Sequence, residues 1–293
     1  MGGVIEVPAS FLAQPRWWRG GQDWLSELPA RVEAQCRRWA LELDGPVLHG
    51  SNALVVPVRL GPLPLVLRLT PPEDDVAAEV RALRFWDGRG TVALLDADEP
   101  VGATLLERLD GTRSLQLLPL SDAVPVLGQL MRRLAVPAPE SARGTDEIAT
   151  SRAAVFEADW ERLGRPFSHA VLDRAVGCAG GLCSTTSDLA VNGDLHFEQV
   201  LAGGREPWLC VDPVLYRGDI DYDLARILWS RLDEMDAETI DACFATLVAE
   251  AGLDPERARA WVLFRAVDYW LWGLDHDLTE DPVRCRRLVE HFR

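Results

Sequence analysis

The chain has 293 residues, 48% of them hydrophobic, and a formal net charge of −16. That length supports one large domain or two lobes around a sizeable core. The charge argues against a nucleic-acid-binding surface, and no run approaches the roughly 18 uncharged apolar residues of a membrane span. All 30 basic residues are arginine. The N-terminal residues lack the basic and then apolar pattern of a secretory signal, and the six cysteines show no C-x-x-C spacing, so a cytoplasmic protein with reduced thiols is expected.

Residues 24–43 read as a helix, with Val32, Trp39 and Leu43 at helical spacing. Trp17, Trp18, Trp24 and Trp39 are expected in the core. Three apolar runs, 45–51, 53–61 and 62–70, read as strands, the last two joined as a hairpin at Gly61-Pro62. Residues 75–88 read as a helix capped by Asp74 or Asp75 and ended by Gly88. Two more strands are expected at 91–98 and 102–109. Beyond Leu109 the pattern becomes helical, including one amphipathic helix over 147–164 with Ala153, Phe156, Trp160 and Leu163 on a stripe. A strand at 207–212 and a run of helices complete the chain. The expected class is α+β, with a small antiparallel-sheet lobe over 1–108 and a larger, mostly helical lobe over 109–293.

The segment "VNGDLHFEQVLAGG" (191–204) is followed by "WLCVDP". Gly-Asp is common in turns, and the second segment could be a plain strand end. The spacing also fits phosphoryl transfer, which needs a carboxylate to accept a hydroxyl proton, oxygen ligands for magnesium and a cation on the nucleotide phosphates. Asp194 stands where a base would, Gln199 five residues later offers an amide oxygen, and Asp212 ends the strand. Upstream, Arg68 alternates away from Leu65, Leu67 and Leu69, and Glu79 lies on the next helix. A lone strand arginine is ordinarily a surface residue. The Asp-Gln-Asp set downstream favours an Arg68–Glu79 pair at a nucleotide.

These residues, together with "LVLRLTPPEDDVAAEVRALRFWDG", "ATLLERLDGTRSL", "RGDIDYDLARILW" and "VDYWLWGLDHDLTEDPVRC", resemble the aminoglycoside/hydroxyurea antibiotic resistance kinases, in the streptomycin 6-phosphotransferase-like branch. The resemblance runs from about residue 45 to the C-terminus. It implies a protein-kinase-like, two-lobed fold with ATP in the cleft between lobes. By matched position, Asp194 corresponds to the catalytic base and Gln199 and Asp212 to Mg2+ ligands. Arg68 stands where a phosphate-contacting lysine is usual, with Glu79 as its partner. Gly50, Ser51 and Asn52 match the nucleotide-covering turn, and Glu107, Arg108 and Leu109 match the hinge whose backbone would meet adenine. Asp219 and Asp223 match acidic positions read as mainly structural. Three positions depart from the family pattern: Asn192 replaces a histidine, Gln199 an asparagine and Arg68 a lysine. His196 reads as a packing residue, because Asp194 already supplies the proton acceptor.

Acceptor selection is expected in the helical lobe. Asp268, Trp272 and Asp275 share a helix face, and Asp233 lies in an acidic cluster after another helix. Carboxylates beside an aromatic ring suit a cationic sugar, although a buried tryptophan with solvated carboxylates would show the same pattern. The expected activity is ATP- and Mg2+-dependent transfer to a hydroxyl of a small, cationic, aminoglycoside-like acceptor. The alternatives are an endogenous sugar, an amino alcohol or hydroxyurea as acceptor, a nucleotide-binding pseudokinase, or a helical interaction protein without a nucleotide site.

Overall fold

The computed structural model describes residues 5–14, 17, 21–71, 73–184 and 187–293. Trp18 lies outside the described residues. Among the described residues no helix is long and apolar enough to cross a membrane. The chain forms two compact units, residues 1–110 with 202–209, and residues 111–201 with 210–293.

In the first unit, α1 (Ala9–Leu12) and α2 (Gln22–Arg38) precede β1 (Glu42–Leu43), β2 (Leu48–His49), β3 (Leu54–Leu60) and β4 (Leu63–Leu69). Helix α3 (Val76–Trp86), β5 (Leu94–Asp98) and β6 (Ala103–Glu107) follow. The strands form an antiparallel sheet in the order β1-β3-β4-β6-β5, with β2 also on β3. Period-two alternation sends Leu54, Val56, Val58, Leu65, Leu67 and Leu69 to one face, where they pack with Phe11, Trp17, Trp24, Leu28 and Val32 of the N-terminal segment. Trp17 stacks on Trp24 at 5.6 Å and meets Phe11 edge-on at 5.1 Å. Each such aromatic pair adds about 0.5–1.5 kcal/mol beyond its buried area. Arg68 is left on the opposite face, in register with Val55 and Thr104.

Two of the boundaries that differ from the sequence expectation have a clear local cause. Helix α2 stops at Arg38 because Ala40 turns left-handed (φ +52) and Leu41 N–H bonds back to Cys36 O at 2.8 Å. Residues 42–43 then join the sheet instead of extending the helix. Within 45–51 only Leu48 and His49 pair, since Gly45 sits at φ +149 and Pro46 has no N–H to donate. Helix α3 begins where Asp75 accepts the Ala78 N–H at 2.9 Å, an N-cap worth about 1 kcal/mol.

The chain leaves the sheet through β7 (Asp110–Ser114). The second unit contains α4 (Leu120–Leu134), β8 (Arg143–Gly144), α5 (Thr145–Ala153), α6 (Phe156–Arg162) and α7 (His169–Leu182). Next come β9 (Ala190–Val191), β10 (Val200–Ala202), β11 (Trp208–Cys210) and β12 (Tyr216–Arg217). Helices α8 (Leu224–Ser230), α9 (Ala237–Ala251), α10 (Pro255–Asp275) and α11 (Asp281–Phe292) close the chain. The amphipathic stretch 147–164 is two helices, not one. The Val155 N–H bonds to Arg152 O at 3.1 Å, a tight three-residue turn that redirects the chain. This lets α5 pack on α7 while α6 turns toward α10. Helix α10 is the centre of the unit, with Trp261, Val262, Phe264, Ala266 and Val267 fully buried.

Candidate active site

In the first unit, the register that puts Arg68 on the non-core face delivers it to α3. Its Nη1 donates to Glu79 Oε2, and its Nη2 donates to Asn52 Oδ1 at 3.2 Å. Arg68 is buried, and the Glu79 side chain is nearly enclosed at 10% exposure. Asn52 in turn donates to Asp74 Oδ2 at 3.4 Å. The β2–β3 turn is closed by Gly50 N–H to Ala53 O at 2.9 Å, with Ser51 exposed at its tip. The spacing of Arg68, Glu79 and Asn52 in the chain therefore becomes one contiguous cluster.

The residues matched to a hinge are tied through their side chains. Glu107 Oε2 accepts from Ala93 N–H at 3.2 Å and from Arg205 Nη2 at 3.1 Å, and the Glu107 N–H is used by Ala93 O. Arg108 donates to the Leu65 carbonyl at 3.0 Å and to the Val58 carbonyl, and pairs with Asp44 at 2.8 Å. These contacts fix the strand end. The Glu107 N–H is thereby committed to Ala93, so an adenine ring would have to meet the backbone of Arg108 and Leu109.

In the second unit the catalytic-loop candidate runs from Asn192 to Gln199. Gly193 sits at φ +82, and a Cβ there would lie 2.6 Å from the Tyr216 ring, so only glycine fits this turn. Asn192, buried, accepts the Asp194 N–H at 3.2 Å and donates to Cys210 Sγ at 3.1 Å. The asparagine that replaces the family's histidine thus ties the loop internally. The Asp194 carboxylate is 39% exposed and doubly held: Arg226 Nε donates to Oδ1 at 2.7 Å and Gln199 Nε2 to Oδ2 at 3.0 Å.

His196 Nε2 lies 4.0 Å from Asp194 Oδ2. Burial, reinforced by the Arg226 charge, pushes its pKa down to about 3. The ring is neutral at physiological pH, in keeping with a packing role. Asp223 is buried near the Gly193 and Leu195 backbone, and its Oδ1 has no hydrogen-bond partner among the described residues. Burial raises its pKa to about 7, Arg265 opposing and Asp194 adding to the rise. Asp219 accepts from Trp261 Nε1 and Arg257 Nε, both at 2.7 Å. Asp219 thereby ties the segment before α8 to α10.

Gln199 and Asp212 stand at the open end of the β10–β11 hairpin, linked by Val211 N–H to Gln199 O at 2.8 Å. Asp212 is left-handed (φ +57), an unusual conformation for a residue other than glycine. Because the Gln199 amide nitrogen faces Asp194, its oxygen lies on the other side, where the Cys210 thiol is a distant 3.9 Å neighbour. An amide oxygen and a carboxylate are hard donors of the kind magnesium takes, so the residues present fit that ion.

The acceptor candidates separate. Asp268 is buried, with Oδ1 2.6 Å from Arg152 Nε and Oδ2 3.4 Å from Arg265 Nη1. This corrects the expectation of a substrate-facing carboxylate: two arginines already neutralise it inside the helical unit. Asp275 is paired with Arg162. Asp233 is exposed and bonded to Arg284 Nε at 2.7 Å. Trp272 is 42% exposed and stacks on Tyr269 at 5.1 Å and on His276 at 4.1 Å.

Sequence reasoning did not identify Tyr269, Asp281 or Arg226. Tyr269 stacks on the fully buried Trp229 (4.5 Å, 11°) and donates to Asp281 Oδ2 at 3.2 Å. Its hydroxyl pKa is raised chiefly by burial and by Asp281, and it senses the charges of Arg226 and Asp194. A run of rings, Trp229, Tyr269 and Trp272, therefore leads from Arg226, the partner of Asp194, to solvent. The three-residue spacing of Asp223 and Arg226 on one helix was the signal available for Arg226.

The family model for "Aminoglycoside/hydroxyurea antibiotic resistance kinase" matches residues 38–276. A hydroxyurea phosphotransferase from Kitasatospora aureofaciens is 38% identical, over 97% of this chain and 85% of the relative. A streptomycin 6-kinase from Streptomyces griseus is also 38% identical, over 94% of this chain and 93% of the relative. Among solved structures, a thermostable mutant of aminoglycoside phosphotransferase APH(4)-Ia, in ternary complex with AMP-PNP and hygromycin B, superposes with a TM-score of 0.65. It is 17% identical, over 88% of this chain and 97% of that one, a likeness of fold. The chain belongs to the aminoglycoside/hydroxyurea antibiotic resistance kinase family and has its protein-kinase-like fold.

Proposed function

We propose that the protein transfers the γ-phosphoryl group of ATP, with Mg2+, to a hydroxyl of a small, cationic, aminoglycoside-like acceptor. The observation that carries this reading is the Asp194 carboxylate, part-exposed and held at both oxygens by Arg226 and Gln199. Asp194 accepts the hydroxyl proton as the acceptor oxygen bonds to the γ-phosphorus. The bond from the β,γ-bridging oxygen to that phosphorus breaks, and ADP leaves with the bonding electrons. Arg68, held by Glu79 and Asn52, binds nucleotide phosphate; Gly50, Ser51 and Asn52 cover it; the backbone of Arg108 and Leu109 meets adenine. Gln199 and Asp212 would hold Mg2+, which when bound offsets phosphate charge. The part-exposed Trp272 and the exposed carboxylate of Asp233, shared with Arg284, are the groups on the helical unit assigned to a cationic acceptor.

Hydroxyurea is the second reading, because a hydroxyurea phosphotransferase is as similar to this chain as a streptomycin 6-kinase is. Incubation with Mg-ATP and a panel of streptomycin, other aminoglycosides, hydroxyurea, choline and simple sugars, read by mass spectrometry, tests both. A phosphate adduct on an aminoglycoside supports the first, and one on hydroxyurea alone supports the second. Nucleotide binding with no adduct on any acceptor would mark a pseudokinase.

A further inference from the structure

Helix α8 reaches the catalytic loop twice. Its N-cap residue Asp223 is buried near the backbone of Gly193 and Leu195, on either side of Asp194. Three residues on, Arg226 donates Nε to Asp194 Oδ1 at 2.7 Å. From another element, the 3-10 turn Phe197–Gln199, Gln199 donates Nε2 to the second oxygen at 3.0 Å. One donor therefore stands on each carboxylate oxygen. The terminal torsion of an aspartate is soft and broad, so a carboxylate held at neither oxygen samples many orientations. Two donors from separate elements remove that freedom.

Arg226 is itself held. Its guanidinium carbon lies 5.9 Å from the Trp229 ring centroid, and Trp229 is fully buried against Tyr269. The side chain is mostly enclosed, at 21% exposure. An ordinary surface ion pair has two mobile partners and contributes little. Here the cation is fixed by the helix whose N-cap is buried near the loop, and the carboxylate is the one a hydroxyl must meet.

We infer that Arg226 is the positioning residue of the base: it holds Oδ1 so that the Asp194 carboxylate stays aligned for the acceptor hydroxyl. This rests on the phosphotransfer reading above. It assigns Arg226 an effect on the transfer step and none on nucleotide capture, which belongs to residues of the other unit.

Arg226→Ala and Arg226→Lys test it in the full-length protein. Turnover of Arg226→Ala should fall by roughly 10²-fold, the scale expected for a misaligned catalytic group. KM for ATP and for the acceptor should stay within about threefold of wild type, since ground-state binding is untouched. Arg226→Lys, keeping a donor and the charge, should recover part of the loss. On an Asp194→Ala background, Arg226→Ala should cost little, because a group acting only through Asp194 has nothing left to position. A crystal structure of Arg226→Ala should show the Asp194 carboxylate rotated. Wild-type turnover in Arg226→Ala, an equal loss in both backgrounds, or an unmoved carboxylate would overturn the inference. Should Arg226→Ala not fold, Arg226→Lys and Arg226→Gln carry the same cycle. A wild-type protein that phosphorylates no acceptor would sink the functional reading, while the carboxylate orientation would still decide what Arg226 does.

Discussion

Gln199 donates its side-chain amide to Asp194 Oδ2 at 3.0 Å, so the residue matched to a metal ligand also braces the base. Its two ends face apart, nitrogen toward Asp194 and oxygen toward Cys210, and in the proposed function that oxygen is the one offered to the cation. Gln199→Asn, the residue the family pattern has here, keeps both atom types and should retain activity within about tenfold, roughly 1.4 kcal/mol of barrier. Gln199→Leu removes both and should lose much more. Turnover against magnesium concentration checks the order, and a leucine variant equal to wild type would reduce Gln199 to packing.

Asp194→Asn should lower turnover by roughly 10²–10⁴-fold, the usual effect of removing a general base. Nucleotide binding should persist, because the Arg68 cluster lies in the other unit. A thermal-shift titration with Mg-ATP reads binding independently of turnover. Retained activity would show that some other group takes the proton.

Arg68→Ala should raise KM for ATP, and it also leaves the nearly enclosed Glu79 without this cation, so a stability loss of about 3 kcal/mol is expected alongside. Arg68→Lys should be milder on both counts, since an ammonium preserves the charge but not the fork that reaches Glu79 and Asn52 together. Unchanged nucleotide affinity in Arg68→Ala would confine the pair to a structural role.

Asp223 gives a pH signature. Its folded pKa, about 7, lies above the ordinary carboxylate value of 3.8, so across that window the folded state keeps a proton that the unfolded state has lost. Stability contributed by this group is present below about pH 4 and is lost as pH rises through 7. Asp223→Asn keeps the shape of the side chain and cannot ionise. Denaturant unfolding at pH 4.5 and pH 7.5 should show the variant gaining on wild type as pH rises. A constant difference between the two proteins would place the pKa near its unfolded value.

Asp268 and Trp272 should respond in opposite ways. Asp268→Ala leaves Arg265, nearly enclosed over the Tyr222 ring at 4.0 Å, without this carboxylate and should cost about 3 kcal/mol of stability. Trp272→Ala removes a part-exposed ring and should leave stability nearly unchanged while raising the acceptor KM severalfold. Unfolding curves beside acceptor kinetics separate the two. An unaltered acceptor KM for Trp272→Ala would remove it from the acceptor surface.

What the sequence revealed was local. Alternation in 54–69 placed Arg68 opposite the core leucines, and the short spacing from Asp194 to Gln199 and Asp212 described one loop and one hairpin. What it concealed depended on distant partners. Asp268 reads as a solvated carboxylate between Val267 and Tyr269 until Arg152, 116 residues away, is brought to it. Arg226 reads as an ordinary helical arginine until α8 folds under the loop. The break between α5 and α6 is equally invisible, because the apolar stripe runs on through it and only packing against two different helices makes the turn worthwhile.

The hairpin tip 202–209 groups with residues 1–110, and Arg205 explains how: it donates to the Gly88 carbonyl at 2.6 Å, the Thr91 carbonyl at 2.9 Å and Glu107 at 3.1 Å. The first unit is therefore discontinuous in the gene, completed by eight codons from the middle of the other half. A fragment cut after residue 110 would lose these donors from its β5–β6 end. Recombination between family members at that single point would mix an Arg205 from one parent with a Glu107 environment from the other. Functional chimeras should be those whose exchanged block carries 202–209 together with 1–110, or whose parents share that contact.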